Sequence, residues 1–177
     1  MVTRTKKTLT ITPAAPTAPF PVRMRCRILI IEARFYENIA DELISGAIAE
    51  LEAQGASYER IAVPGALEIP LALAQAVSAG LIPVTAPAAR FAGAVALGCV
   101  IRGETSHYDT VCNNANHWLM DVAIRHDIPV GNAILTVENE AQALARAKGG
   151  RDGKGGDGVR ACLRLVDLAR AFAGQSA

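Results

Sequence analysis

Apolar positions along the chain recur with two alternating periods. Ile28-Leu29-Ile30-Ile31 is a short continuous apolar run, suited to a strand buried on both faces. A helical pattern follows from about Asn38 to Gln54, carrying Ile39, Leu43, Ala47 and Leu51 on one face, with Gly55 as its stop. Tyr58 to Val63 reads as a second strand, ended by Pro64-Gly65. Ile69 to Ala79 reads as a short helix that tolerates Pro70 only in its first turn. Residues 80–90, with Pro83 and Pro87, read as a loop. Phe91 to Leu97 is then a third strand, Asp109 to His126 a helix carrying Val111, Ala115, Leu119, Val122 and Ala123, and Val130 to Leu135 a fourth strand. Two helices near Asn139–Lys148 and Val159–Phe172 complete the pattern.

Strands separated by helices imply a parallel sheet with right-handed crossovers and helices on both faces, the α/β class. Open parallel sheets bind ligands at the carboxyl ends of their strands. Chemistry is therefore expected just after Ile31, Val63, Leu97 and Leu135. Residues 1–22, with Pro13, Pro16, Pro19 and Pro21, read as an extended, partly disordered arm ahead of one domain at 23–177.

Composition narrows the classes. The 177 residues carry a net charge of +1, which argues against general nucleic-acid binding. The first 31 residues hold no acid, but Pro-rich sequence and the lack of serine before Ser45 do not suit a transit helix. No apolar run reaches the roughly 18 residues of a membrane span. Cys26, Cys99, Cys112 and Cys162 form no CxxC pair, so free thiols in a reducing cytoplasm are expected. His107, His117 and His126 form no ligand set, and no metal is expected.

The strand ends carry the candidate chemistry. Phe35, after the first strand, suits stacking on a flat heterocycle, or equally a place in the core. Glu68 opens a helix after the second strand. It serves either the helix dipole or hydrogen bonds from ligand hydroxyls. After the third strand comes the densest polar cluster, Gly98 to Asp109. Thr105 and Ser106 at a helix start make an anion site or a plain cap, and His107 in the first turn exchanges protons near pH 7 or simply faces water. Lys148 to Gly156 superficially resembles a phosphate loop. It lacks the first Gly and the final Ser/Thr and follows no strand, so it reads as a mobile helix–helix connection.

Taken in order, Arg34-Phe35, PGALEIP at 64–70, ALGCVIRGETSHYD at 96–109, LTVEN at 135–139 and Arg146 before a turn containing Lys154 resemble the lumazine synthase family over about residues 25–172. The resemblance implies a flavodoxin-like three-layer α/β/α sandwich around a four-stranded parallel sheet. The implied reaction condenses 5-amino-6-(D-ribitylamino)uracil with L-3,4-dihydroxy-2-butanone 4-phosphate in riboflavin biosynthesis, without a cofactor. It implies Phe35 stacking on the pyrimidine, Ala66, Leu67 and Glu68 holding the ribityl chain, and Cys99, Val100 and Ile101 along the pyrimidine edge. Glu104 and Thr105, with Arg146 and Lys154, would bind phosphate, Arg146 coming from a neighbouring subunit, and His107 would carry protons. The sequence departs from the pattern in three places, one of them the extra loop at 80–90. Asn132 stands where an aromatic often covers the ligand ring, and Leu67 replaces a frequent Phe. Pentamers, and in some members 60-subunit capsids, are the implied assemblies. The other reading of the same fold is a catalytically weak flavin- or lumazine-binding protein or a shell-forming one.

The family often adds an N-terminal strand to a neighbour's sheet edge, and Leu9-Thr10-Ile11 alternates as such a strand would. Deleting residues 1–22 is therefore expected to lower the melting temperature of the assembly while sparing the fold. An unchanged melting curve and an unchanged mass would remove the arm from assembly.

Overall fold

A computed structural model describes residues 26–86 and 88–174 of the chain. The expected arm at 1–22 lies outside the described residues. Four strands, β1 (Arg27–Ala33), β2 (Ser57–Val63), β3 (Gly93–Ile101) and β4 (Val130–Val137), pair in the order β2-β1-β3-β4, every pair parallel. This is the flavodoxin-like order, in which β1 and β3 are neighbours at the point where the winding reverses. Among the described residues no helix is long and apolar enough to cross a membrane.

The helices α1 (Glu37–Ala53), α2 (Glu68–Ser78), α3 (His107–Arg125), α4 (Glu140–Ala147) and α5 (Lys154–Gly174) cover both faces. Side chains alternate across the sheet, so each strand feeds two cores. Ile28, Ile30, Val95, Leu97, Ala133 and Leu135 pack with Leu43, Ala47 and Leu51 of α1 and Val159 and Cys162 of α5. Leu29, Ile31, Ala94, Ala96 and Ile134 pack on the other face with Ile69 and Leu73 of α2 and Ala115 and Leu119 of α3. The loop after α2 is pinned by Ile82 and Phe91, both buried in that second core.

Two boundaries differ from the sequence expectation by four residues or more. β3 runs to Ile101, four residues past Leu97, because Gly98, Cys99 and Val100 continue the ladder with Ile134, Leu135 and Thr136. The expected mobile connection at 148–156 is instead a tight turn that leads straight into α5. Gly149 and Gly150 take left-handed φ values of 107° and 56°, a 3₁₀ turn covers Gly150–Asp152, and α5 already begins at Lys154. Gly155 and Gly158 are inside this helix. A Cβ on Gly155 would collide with the Leu43 carbonyl of α1, and one on Gly131 of β4 with the Gly158 carbonyl. These glycines permit close packing of helix on helix and helix on strand; they do not mark a loop.

The turn is tied down by a buried carboxylate. Glu50 of α1, 0% exposed, accepts hydrogen bonds from Arg151 Nε (2.8 Å), Arg160 Nη1 (3.1 Å) and Gln54 Nε2 (2.7 Å). Burial pushes the Glu50 carboxyl up, but the hydrogen bonds from Arg151 and Gln54 and the charge of Arg160 outweigh it and hold its pKa below the ordinary 4.5. A depressed folded pKa adds stability that is complete above the unfolded value and is lost as the pH falls through the folded one. Glu50→Gln is expected to cost about 1.5–3 kcal/mol at pH 7, the range for hydrogen bonds to a charged group. Its loss of stability below pH 4.5 should be shallower than that of the parent. Urea melts across that range check both statements, and parallel pH curves would assign the acid sensitivity elsewhere.

Candidate active site

A cavity of about 410 Å³ opens where β1, β2 and β3 end, at the crossover between β1 and β3. Each strand end supplies one wall. From β1, the chain enters α1 through Phe35 and Tyr36, whose rings meet edge to face with centroids 4.9 Å apart. Phe35 is 71% exposed and lines the cavity, which rules out the core alternative and leaves its ring face open to a planar ligand.

From β2, Pro64 to Leu67 form a turn with Glu68 N–H donating to the Gly65 carbonyl (3.3 Å) and Ile69 N–H to that of Ala66 (3.3 Å). Glu68 is the first residue of α2 and makes no side-chain capping bond. Among the described residues its carboxylate has no hydrogen-bond partner, and it lines the cavity. A Cβ at Gly65 would stand 3.1 Å from Glu68 Oε2, so glycine leaves this carboxylate room. The placement suits an acceptor for ligand hydroxyls.

From β3, Cys99, Val100 and Ile101 line the floor as strand residues, not as the loop residues that the sequence suggested. Gly103 and Thr105 follow, then His107, the exposed first residue of α3, with Tyr108 and Val111 behind it. Ser106 occupies the cap position without a side-chain capping bond; the Thr105 hydroxyl accepts instead from the His107 N–H, at a long 3.4 Å. Desolvation pushes the Cys99 thiol up to about 11. Burial also raises Tyr36 and Tyr108 above the ordinary tyrosine value.

The chain thus brings together Phe35, Ala66, Leu67, Glu68, Cys99, Val100, Ile101, Thr105 and His107. Four expected residues lie elsewhere. Glu104 is exposed on the loop between β3 and α3 and does not line the cavity. Asn132, on β4, donates to Asn116 Oδ1 of α3 (2.7 Å) and accepts from the Ile134 N–H (3.0 Å). Arg146, in the last turn of α4, donates to the Gln142 carbonyl (3.0 Å) and is exposed. Lys154, exposed at the start of α5, pairs with Asp157 (2.6 Å). Sequence reasoning missed Tyr36, Tyr108 and Val111 as lining residues. Val111 lies four residues after His107 on the same helix face, and helical spacing from that histidine could have found it. Among the described residues no group of three His, Cys, Asp or Glu side chains is placed to hold a metal ion.

Residues 25–170 match the profile of 6,7-dimethyl-8-ribityllumazine synthases. The chain is 51% identical over 144 residues to the enzyme of that name from Azorhizobium caulinodans, covering 81% of this chain and 86% of the relative. It is 46% identical to that of Methylobacterium radiotolerans (89% and 90% covered) and 48% identical to that of Agrobacterium fabrum (83% and 97% covered).

A thiol with a pKa near 11 is almost wholly protonated at neutral pH, and the thiolate is the reactive form. In the native protein at about pH 7.5, Cys99 is expected to resist iodoacetamide for hours and to react once unfolded. Peptide mass spectrometry reads this directly. Rapid native alkylation of Cys99 would show that the floor of the cavity is wetter and more open than its burial indicates.

Proposed function

Because the chain belongs to the 6,7-dimethyl-8-ribityllumazine synthase family, we propose that this cavity is where it performs the family's condensation, with the residues that line it in the roles set out below. The activity is that of a transferase in riboflavin biosynthesis, joining 5-amino-6-(D-ribitylamino)uracil to L-3,4-dihydroxy-2-butanone 4-phosphate. The observation that carries the assignment of roles is the convergence of an exposed aromatic, an unpartnered carboxylate and a histidine at one strand-end cavity.

Phe35 stacks on the pyrimidine, and the backbone of Cys99, Val100 and Ile101 faces its edge. Glu68, with Ala66 and Leu67, holds the ribityl hydroxyls. Carbonyl–amine condensation, loss of phosphate and ring closure each move protons, and His107 stands at the cavity with an exposed imidazole to give and take them. Positioning two reactive molecules side by side contributes alongside this acid–base work. Thr105, at the head of α3, and Glu104 from the same loop contribute to the phosphate subsite. No cofactor takes part.

The remaining cations work across a subunit contact. Arg146 and Lys154 lie outside their own chain's cavity and are exposed, which supports their service in a neighbour's site. Arg146 presents a planar, permanently charged fork for the leaving phosphate, and Asn132, exposed on edge strand β4, takes the place from which an aromatic often covers the ligand ring. Homo-oligomerisation is supported by Trp118, Met120 and Ile124, large apolar side chains left exposed on α3, and a pentamer is the assembly that the family resemblance implies. A cytoplasmic location is supported by four free cysteines.

The shared site has a direct test. His107→Ala is expected to lower turnover by roughly ten- to a thousandfold with little effect on substrate affinity, around the range of one acid–base group. Arg146→Ala should likewise be nearly inactive. When the two proteins are unfolded, mixed in equal amounts and reassembled, a site built from intact His107 of one and intact Arg146 of the other is complete. Head-to-tail rings then recover about a quarter of wild-type sites. Mixed rings, confirmed by mass, that are no more active than the separate variants would return Arg146 to its own subunit. Full turnover of His107→Ala in the two-substrate assay would remove that residue from the chemistry.

A further inference from the structure

The start of α3 is held in an unusual way. Its cap position forms no side-chain capping bond, and the one substitute, Thr105 Oγ1 accepting from the His107 N–H, is long. In place of a cap stands Arg102, one residue beyond β3. Its guanidinium lies 4.0 Å over the Tyr108 ring, donates from Nε to Glu138 Oε2 at 2.8 Å and contacts Asp109 Oδ1 at 3.4 Å. Its backbone N–H donates to the Val137 carbonyl (2.9 Å).

One side chain thereby joins the end of β3, the end of β4 and the first turn of α3. A cation beside a helix N-terminus opposes the helix dipole, and here two carboxylates and a ring face compensate for it. A simple Ser or Thr cap would hold the helix without that conflict. Local choices that run against the general preference gather at functional sites. The two residues that Arg102 grips, Tyr108 and Asp109, immediately follow His107, and Tyr108 itself lines the cavity.

We propose that Arg102 is a positioning residue: by clamping Tyr108 and Asp109 to Glu138, it fixes the first turn of α3 so that the His107 imidazole meets the reacting atoms. The inference rests on the role given to His107 above. Arg102 does not line the cavity. A loss of alignment lowers turnover and leaves affinity for the pyrimidine substrate largely intact, since Phe35 and Glu68 stand on other elements.

The experiment is a double-mutant cycle with Arg102→Met and His107→Gln, read by steady-state kinetics with both substrates and by melting temperature. Arg102→Lys serves as a second variant that keeps the charge but loses the planar stack. Arg102→Met is expected to lower kcat about tenfold or more with KM for the pyrimidine substrate little changed, and Arg102→Lys less so. In the His107→Gln background the same substitution should lower the residual turnover by less than about twofold, because the group it positions is gone. Equal fold-losses in both backgrounds would make Arg102 a general support of the fold and overturn the proposal. Full activity of Arg102→Met beside an impaired His107→Gln overturns the clamp alone, whereas full activity of His107→Gln overturns the histidine's role and the clamp with it.

Discussion

The close approach of α5 to α1 and β4 is the constraint from which much of the rest follows. Backbone meets backbone at Gly155 against Leu43 and at Gly158 against Gly131, with no space for a Cβ at Gly155 or Gly131. Packing this tight seals one face of a thin four-stranded sheet, where Val95, Leu97, Ala133 and Leu135 each need cover. It also brings the turn before α5 down onto α1, where Glu50 receives Arg151 and Arg160. A buried carboxylate is tolerable there because two guanidinium groups and an amide answer it.

The other face is organised differently. There α2 and α3 start at the strand ends, and their first turns form walls of the cavity. Neither helix begins with a side-chain capping bond. Glu68 and His107 occupy the first helical positions and keep their polar atoms for the cavity. The local stability that a cap would supply is therefore absent where the ligand groups stand. Tertiary contacts replace it: the buried Ile69 beneath α2, and Arg102 across the head of α3.

Much of this was legible in the chain of residues. The continuous apolar run at Ile28–Ile31, the strand pattern at Val130–Leu135 and four-residue spacing at Ile39, Leu43, Ala47 and Leu51 placed the sheet and its first helix, and the rule for parallel sheets placed the cavity. Phe35, Glu68 and His107 stood out because polar and aromatic residues followed apolar strands. What escaped detection depended on distance or on backbone. Glycine at 153, 155 and 156 carries the same letter whether it loosens a loop or admits a neighbouring helix, so α5 was begun five residues late. Gly98 looked like a strand end for the same reason, although β4 goes on pairing beyond it. Glu50 meets Arg151 and Arg160 about a hundred residues away, and Arg102 meets Glu138 across a helix and a strand. Neither pairing has a local signature.

The two faces also divide the chemistry. Groups that recognise flat and hydroxylated parts of a ligand, Phe35 and Glu68, stand with His107 at strand ends of one chain, fixed by its own core. Arg146 and Lys154, the cations assigned to the phosphate in the proposal above, stand on the helices beyond β4, where Arg146 donates to the Gln142 carbonyl and Lys154 pairs with Asp157. A phosphate contact has to strengthen as charge develops on the leaving group, and a permanently charged guanidinium does so without a change of protonation. In the shared site proposed above, one surface organises the heterocycle and another receives the phosphate. Under that proposal the cavity of one chain is complete only when the surface of an adjacent chain meets it. The glycine contacts of α5, which line no wall of the cavity, would then bear on catalysis through the angle at which one chain presents its cations to the next.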